Sequence, residues 1–462
     1  MKSPIGEVTQ DENLETQKAS GYMYYIIYST VNIIITLPIR ENFKKTKYLT
    51  SDAHYLQSML RALILNVGFK NKGNEALIAS TKDIIWRYIK NVEFLNMGAA
   101  KDPDNQIILQ PARNPMRSPY PWLYLFECLI IKTLRRCGLQ IGVPKKSKLR
   151  VLDEIDVVIN SGGDQLSGEK TPGSSFLNII YALLLDKPVV LFAESLGYYK
   201  SPINRIVSRY VFQRVKLILV REELSKQYLL GNGVDETKIH VTADPAFILP
   251  PAGKSRTEEI LRMENISDIP TPIVGINPSG LISKYLNDPT KSEEHYIRSM
   301  AHTIDHLVET KGVSVILIPH VYSTKNDDRM AADKILKAVS NRNSVFQICG
   351  EYSASELKGI IGLCEIFVGA RMHATIAATS LCIPTVGIAY SHKMHGIIGK
   401  TLGLEQYIID IDKLDESILK TTIDAVWSDR TAIREHLKAV MPEVIEKAFK
   451  NGYYFSKFIE SN

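Results

Sequence analysis

From residue 61 onward, short apolar runs rich in β-branched residues alternate with longer segments whose apolar positions recur at helical spacing. RALILNV (61–67), NQIIL (105–109), IDVVIN (155–160), PVVLFA (188–193), KLILV (216–220) and KIHVTA (238–243) read as strands. NEALIASTKDIIWRYI (74–89) reads as a helix, and further helices are expected near 120–138, 174–186, 202–215 and 222–231. Continuous apolar strands separated by helices imply a parallel sheet covered on both faces.

The alternation breaks at ILPPAGKSR (248–256), which holds Pro and Gly and has no periodicity, and then restarts. Strands follow at PIVGIN (272–277), VSVILIP (313–319), SVFQIC (344–349), EIFVGA (365–370) and PTVGIA (384–389). Helices are expected near 291–311, 325–339, 353–363, 372–382 and 392–402, with a helical tail beyond 412. The pattern predicts an α/β protein of two doubly wound, Rossmann-like domains, 61–250 and 251–462, behind an N-terminal extension, 1–60. A chain of 462 residues has room for two domains of ordinary size.

Composition narrows the class. With 45% hydrophobic and 23% charged residues the chain is globular, and its +6 formal charge is small for this length. No Lys/Arg block is dense or interleaved with aromatics, so nucleic-acid binding is not indicated. Five scattered cysteines without a C-x-x-C pair argue against a disulfide framework or zinc site and fit a reducing cytoplasm. His302 and His306 are spaced i, i+4 but lack the glutamate of H-E-x-x-H, and they read as a solvated helix face. The segment GYMYYIIYSTVNIIITLPI (21–39) is uncharged and is followed by Arg40, Lys44, Lys45 and Lys47. It nears the ~20 residues that span a bilayer, but Ser29, Thr30, Asn32, Thr36 and Pro38 weaken that reading. The acidic DENLE before it does not fit a signal peptide. Two readings stay open: a peripheral, interfacial membrane contact, or an extension packed on its own domain or a second subunit.

In doubly wound sheets ligands bind beyond the carboxyl ends of the strands, and two such domains can share a cleft. In the first half, NVGFKNKGNEA leaves a strand through Gly68 and Gly73 and enters a helix at Asn74 and Glu75. VINSGGDQLSG leaves another through Gly162, Gly163 and Asp164, and glycines there let backbone N–H groups approach an anion or a sugar. Neither segment is a P-loop or a G-x-G-x-x-G fingerprint. LILVREELS ends its strand at Arg221. In the second half, strands end in Asn277 and Ser279, in His320, in Arg371 and His373, and in Ser391 and Lys393. Arg371 and His373 stand at the start of a helix, where cations are electrostatically disfavoured. Four endings that deliver hydrogen-bonding or cationic groups to one sheet edge point to a site for an anionic ligand with carboxylate or phosphate groups.

With these motifs in order, the chain resembles the polysaccharide pyruvyl transferase family over about residues 61–405. The resemblance rests on NVGFKNKGNEAL, DVVINSGGDQL, ESLG with LVREELS, ADPAF, VGINPS, IPHV and GARMHATIAATSLCIPTVGIAYSHK. It implies a glycosyltransferase-B-like pair of α/β domains, with the acceptor on the first and the donor on the second. It also implies transfer of the enolpyruvyl carbon of phosphoenolpyruvate to hydroxyls of a cell-surface glycan or its precursor, with a lipid-linked precursor as one candidate. A pyruvate ketal forms and phosphate leaves. The family's activity-bearing arginine and Arg-x-His element fall on Arg221, Arg371 and His373. Asn66, Gly73, Glu75, Gly162, Gly163, Asp164, Asn277, Ser279, His320, Ser391 and Lys393 join them as candidates for substrate binding. Where the family's first motif ends in Asp, this chain has Asn74 followed by Glu75. No metal or organic cofactor is called for, since His373 near neutral pH can take the hydroxyl proton. The alternatives are a nucleotide-sugar glycosyltransferase of the same shape and a two-domain ligand-binding protein.

Overall fold

The computed structural model describes residues 59–462 apart from 98–109, 112–113, 118–119, 164, 168–172, 200, 267, 282–288 and 325. The segment 21–39, the strand expected at 105–109 and Asp164 therefore lie outside the described residues.

The first sheet has seven strands: β1 (Leu60–Leu65), β2 (Val92–Asn96), β3 (Gln110–Pro111), β4 (Val157–Gly163), β5 (Val189–Glu194), β6 (Leu217–Val220) and β7 (Ile239–Val241). Their order is β3-β2-β1-β4-β5-β6-β7, and every pair is parallel. The second sheet takes β8 (Ile273–Asn277) and β9 (Ser314–Leu317), then β12 (Val345–Gln347), β13 (Ile366–Gly369), β14 (Thr385–Ala389) and β15 (Ile408–Asp410). It runs β12-β9-β8-β13-β14-β15, again all parallel. Between them in sequence a short antiparallel hairpin joins β10 (Tyr322–Ser323) to β11 (Asn326–Asp327). Every residue of β4 and β5 is buried, as sheets covered on both faces require.

Helices start where the chain offers caps. Helix α1 (Lys72–Tyr88) begins at Asn71, whose side chain accepts from Gly73 N, and carries Glu75 in its first turn and Arg87 in its last. Beyond α1, the elements used below are α2 (Glu223–Gly231), α3 (Asp328–Ala338), α4 (Ala354–Ile361), α5 (Met372–Ser380) and α6 (Glu416–Ser461). The sequence pattern missed β2, β15, the hairpin and the Lys254–Met263 helix. The helix expected at 392–402 is three α-helical residues followed by a π-helix over His395–Thr401.

The tail helix α6 is 46 residues long with Pro442 inside it, and it serves both sheets. Leu419, Ile423, Val426, Leu437 and Val444 enter the core of the second domain. Past Pro442, Phe455 enters the core beneath the first sheet, with Phe449, Tyr454 and Phe458 packed against it. Gly452 is needed at this crossing, because a Cβ there would lie 2.6–2.8 Å from Tyr88 and Ile84. His302 and His306 hold the other end of the helix, through Glu416 at 2.6 Å and Asp424 at 2.9 Å.

Candidate active site

The segment between β1 and α1 reaches across to the second domain. Asn71 makes an antiparallel bridge with Val321; Lys72 N donates to His320 O (3.0 Å) and Tyr322 N to Lys70 O (2.8 Å). The buried Lys72 ammonium donates to Glu75 (2.9 Å) and lies 3.4 Å from Glu351. Glu75, one of the expected substrate binders, is a brace between domains: its second oxygen accepts from Ala354 N (2.6 Å) at the start of α4.

Arg221, at the end of β6, is 2% exposed, and each of its three nitrogens donates a hydrogen bond. Nε bonds Ser195 Oγ (2.7 Å), Nη2 bonds Gly163 O (2.9 Å) and Nη1 bonds Asp244. The sequence pointed to an arginine presented to an anion; the structure places it inside a polar knot of its own domain. Ser195 also donates to Glu222 (2.9 Å), and Ser225 donates to the other oxygen of Glu222. Burial pushes the Glu222 carboxyl above its ordinary pKa, and neighbouring Arg221 offsets this only in part. Asp244 is different. Burial pulls its pKa up, but Arg221 and then His373 outweigh that, so the group is held well below its ordinary value and stays ionised.

A second polar chain joins the ends of β1, β4 and β5. Asn66, at a φ of 64°, donates to Asn160 (2.7 Å), which donates to Glu194. Next to Glu194, Ala193 holds a φ of 53° within a register shift between β5 and β6. Gly163 has a φ of 109°, open to glycine and costly to other residues. A Cβ on Gly162 would sit 3.1–3.3 Å from Leu77, Phe192 and Ala193. These two glycines meet packing and backbone demands, and Gly163 presents its carbonyl to Arg221.

In the second domain Arg371 caps α5 without a side-chain bond to the helix. Its guanidinium turns to Asp328, with Nη2–Oδ1 at 2.6 Å and Nε–Oδ1 at 3.2 Å. Asp328 also accepts from the backbone N of His320 (3.1 Å) and Val321 (3.0 Å). Burial raises the Asp328 pKa despite the arginine. Asn277 Oδ1 accepts Arg371 N (2.9 Å) while its amide donates to Ile318 O (2.9 Å), so this candidate fixes the strand ends. Ser279 Oγ accepts from Leu281 N (3.2 Å), a local turn bond. His320 is fully enclosed, and its pKa falls to about 3, through burial first and then through His373, Arg371 and Lys72. It is neutral at physiological pH.

His373 is where the two domains meet. Its Nε2 stands 3.4 Å from Asp244 Oδ2 with no hydrogen bond aligned on it. A Cβ on Gly73 would fall 2.3 Å from Nδ1, so only glycine admits the ring there. Its side chain keeps 13% exposure. Ser391 is the N-cap of the short helix His392–Met394, which holds the buried Lys393; His392 lies near Glu222, and Gly396, further on, packs on Glu222. Among the candidates, the structure gathers Gly73, Gly163, Arg221, Arg371, His373 and His320 around one junction. It adds Asp244, Asp328, Lys72 and Ser195, which the sequence reading did not select. Asp244 lay in the quoted ADPAF and Asp328 in NDD ahead of a helix, which were the available signals.

The model of the family described as polysaccharide pyruvyl transferase matches residues 71–392. The chain belongs to that family. It is an enzyme, a transferase acting on polysaccharide. The amylovoran biosynthesis protein AmsJ of Erwinia amylovora is 25% identical over 304 residues, 64% of this chain and 71% of AmsJ. Among solved structures, a glycosyltransferase from Rickettsia africae ESF-5 superposes with a TM-score of 0.53 at 12% identity, covering 88% of this chain and 100% of its own. Alr3699/HepE of Anabaena, solved with UDP-glucose, gives 0.53 at 13% identity, covering 87% and 100%. These likenesses establish the glycosyltransferase-B-like arrangement of the two domains. No helix among the described residues is long and apolar enough to cross a membrane.

Proposed function

We propose that the protein transfers the pyruvyl group of phosphoenolpyruvate to hydroxyls of a cell-surface glycan or glycan precursor. The observation that carries this reading is His373, set between bare Gly73 and ionised Asp244 at the domain junction. With its proton on Nε2 toward Asp244, the ring offers the Nδ1 lone pair as a base, and Asp244 stabilises the imidazolium that forms.

One acceptor hydroxyl loses its proton to His373 and adds to the central carbon of the donor, while the methylene carbon gains a proton. A second hydroxyl then adds to the same carbon as the C–O bond to phosphate breaks. Two hydroxyl protons leave in all; one is balanced by the new methyl group and the other by the departing phosphate. Arg371, steadied by Asp328, faces the donor's anionic groups. Arg221 holds Asp244 in place for His373 and touches no substrate. The scheme draws on no resident cofactor. The test is phosphate release from phosphoenolpyruvate in the presence and absence of candidate glycans. Release that depends on a glycan supports the reading; consumption of a nucleotide sugar with phosphoenolpyruvate untouched would replace it with glycosyl transfer.

A further inference from the structure

About two helical turns along α2 from Glu222, a cavity of about 390 Å³ opens on the first domain. It is lined by Tyr198, Tyr199, Arg205, Gln227, Tyr228 and Asn232. Tyr198 is 79% exposed and meets Tyr228 edge to face, with ring centroids 5.0 Å apart and planes at 74°. Tyr199 meets Tyr228 at 6.1 Å and 57°. Tyr228 is 5% exposed, and its hydroxyl, with Ser208 and Asn232 as its polar neighbours, makes no well-aligned hydrogen bond among the described residues. A buried hydroxyl whose hydrogen bonds are poorly aligned is a cost that a ligand hydroxyl can remove. Arg205, Gln227 and Asn232 add planar donors at the rim, and no carboxylate among the described residues pairs with Arg205.

This chemistry suits a pyranose ring. A sugar offers an apolar C–H face to an aromatic ring and a rim of hydroxyls to amides, guanidinium and phenol. A nucleobase can also stack on one exposed tyrosine face, but it brings no ring of hydroxyls for the donors at the rim, and UDP is therefore the competing probe. The loop that carries Tyr198 and Tyr199 is tied at its base to the catalytic half of the domain. Leu196 N donates to Ser225 Oγ (2.7 Å), and Ser225 and Ser195 both donate to Glu222 beside Arg221.

We propose that this cavity is a second glycan subsite, which binds a pyranose unit of the acceptor chain at a distance from the sugar that reacts. The inference rests on the polysaccharide acceptor and not on the identity of the donor. To test it, the full chain is applied without phosphoenolpyruvate to an array of immobilised hexose oligosaccharides, from monosaccharides to long oligomers. Oligomers should bind more tightly than monosaccharides, and Tyr198→Ala and Tyr228→Phe should each weaken oligomer binding about fivefold to tenfold. Tyr228→Phe keeps the ring and removes only the hydroxyl, so its melting temperature should not fall. Equal oligomer binding by the parent and both variants overturns the proposal, as does tight UDP binding that Tyr198→Ala abolishes. Because no donor is present, failure of pyruvyl transfer leaves this result standing. Conversely, loss of oligomer binding in the variants should leave phosphate release with a monosaccharide acceptor intact.

Discussion

Arg221 and Arg371 end strands of the two sheets in similar ways, and each is bound to a buried aspartate, Asp244 or Asp328. Their surroundings differ. Every nitrogen of Arg221 is spoken for within its own domain, and its aspartate passes the interaction on to His373 across the cleft. Asp328 takes Nε and Nη2 of Arg371, which lies beside Tyr390 at the start of α5 and is 7% exposed. One arginine is the end of a brace; the other, in the account proposed above, stands at the rim of the donor site. The pairing also accounts for cations at the start of α5. Arg371 is neutralised by a carboxylate from the neighbouring α3, and His373 faces one from the other domain, so neither relies on its own helix for compensation.

The comparison can be broken most severely at His373. His373→Ala should lower the transfer rate by ~10²–10⁴-fold while melting temperature and phosphoenolpyruvate affinity by calorimetry stay near normal. Near-normal turnover in a folded variant would remove the base from the account. Lysine at each arginine separates brace from rim. Arg371→Lys should lose most activity, since each charged hydrogen bond is worth ~1.5–3 kcal/mol and an ammonium cannot copy the fork on Asp328. Arg221→Lys should show first as a lower melting temperature, through the lost bonds to Ser195 and Gly163. A stable Arg221→Lys protein with weakened donor binding would make Arg221 a donor clamp after all.

Gly73→Ala comes next in size. The new methyl would overlap the His373 ring, so turnover should fall about tenfold or more, with a smaller effect on donor affinity. The smallest effect expected is on acid stability. His320 binds a proton at an ordinary pKa of 6.5 when unfolded but only near about 3 in the fold. Between those values the unfolded chain holds more protons, so stability is complete above about pH 6.5 and is lost as pH falls toward 3. His320→Gln should flatten the decline of melting temperature across that window. An unchanged slope would mean that His320 is not the group responsible.

Much of the fold was legible because the inner strands of both sheets are long apolar runs. The elements that escaped are those where that signal is short or mixed. β15 has three residues, β2 carries Glu93, paired with Arg61 at 2.7 Å, and the Lys254–Met263 helix starts inside a Pro- and Gly-rich break. In the site, Arg221, Arg371, His373 and His320 were legible as strand-end residues. Their carboxylate partners were not. Asp244 follows β7, which lies beside β6 only in the folded sheet, and Asp328 follows the hairpin after β9, two places from β13. Sequence shows the cations of the expected edge singly, and the fold pairs them, Arg221 with Asp244 and Arg371 with Asp328. The contacts of the glycine loop at 162–163 with Leu77 and β5 were likewise not legible in the sequence.

The central claim is that carbon from phosphoenolpyruvate reaches the glycan at the site around His373. The most direct measurement follows donor labelled with carbon-13 at its central carbon by NMR, alongside released phosphate, for the parent protein and His373→Ala. The account predicts that in the parent protein the enol signal converts to a ketal signal on the acceptor, one phosphate appears per ketal formed, and His373→Ala does neither while remaining folded. Labelled carbon that never joins the acceptor, or a His373→Ala protein that forms ketal at the parent rate, would contradict it.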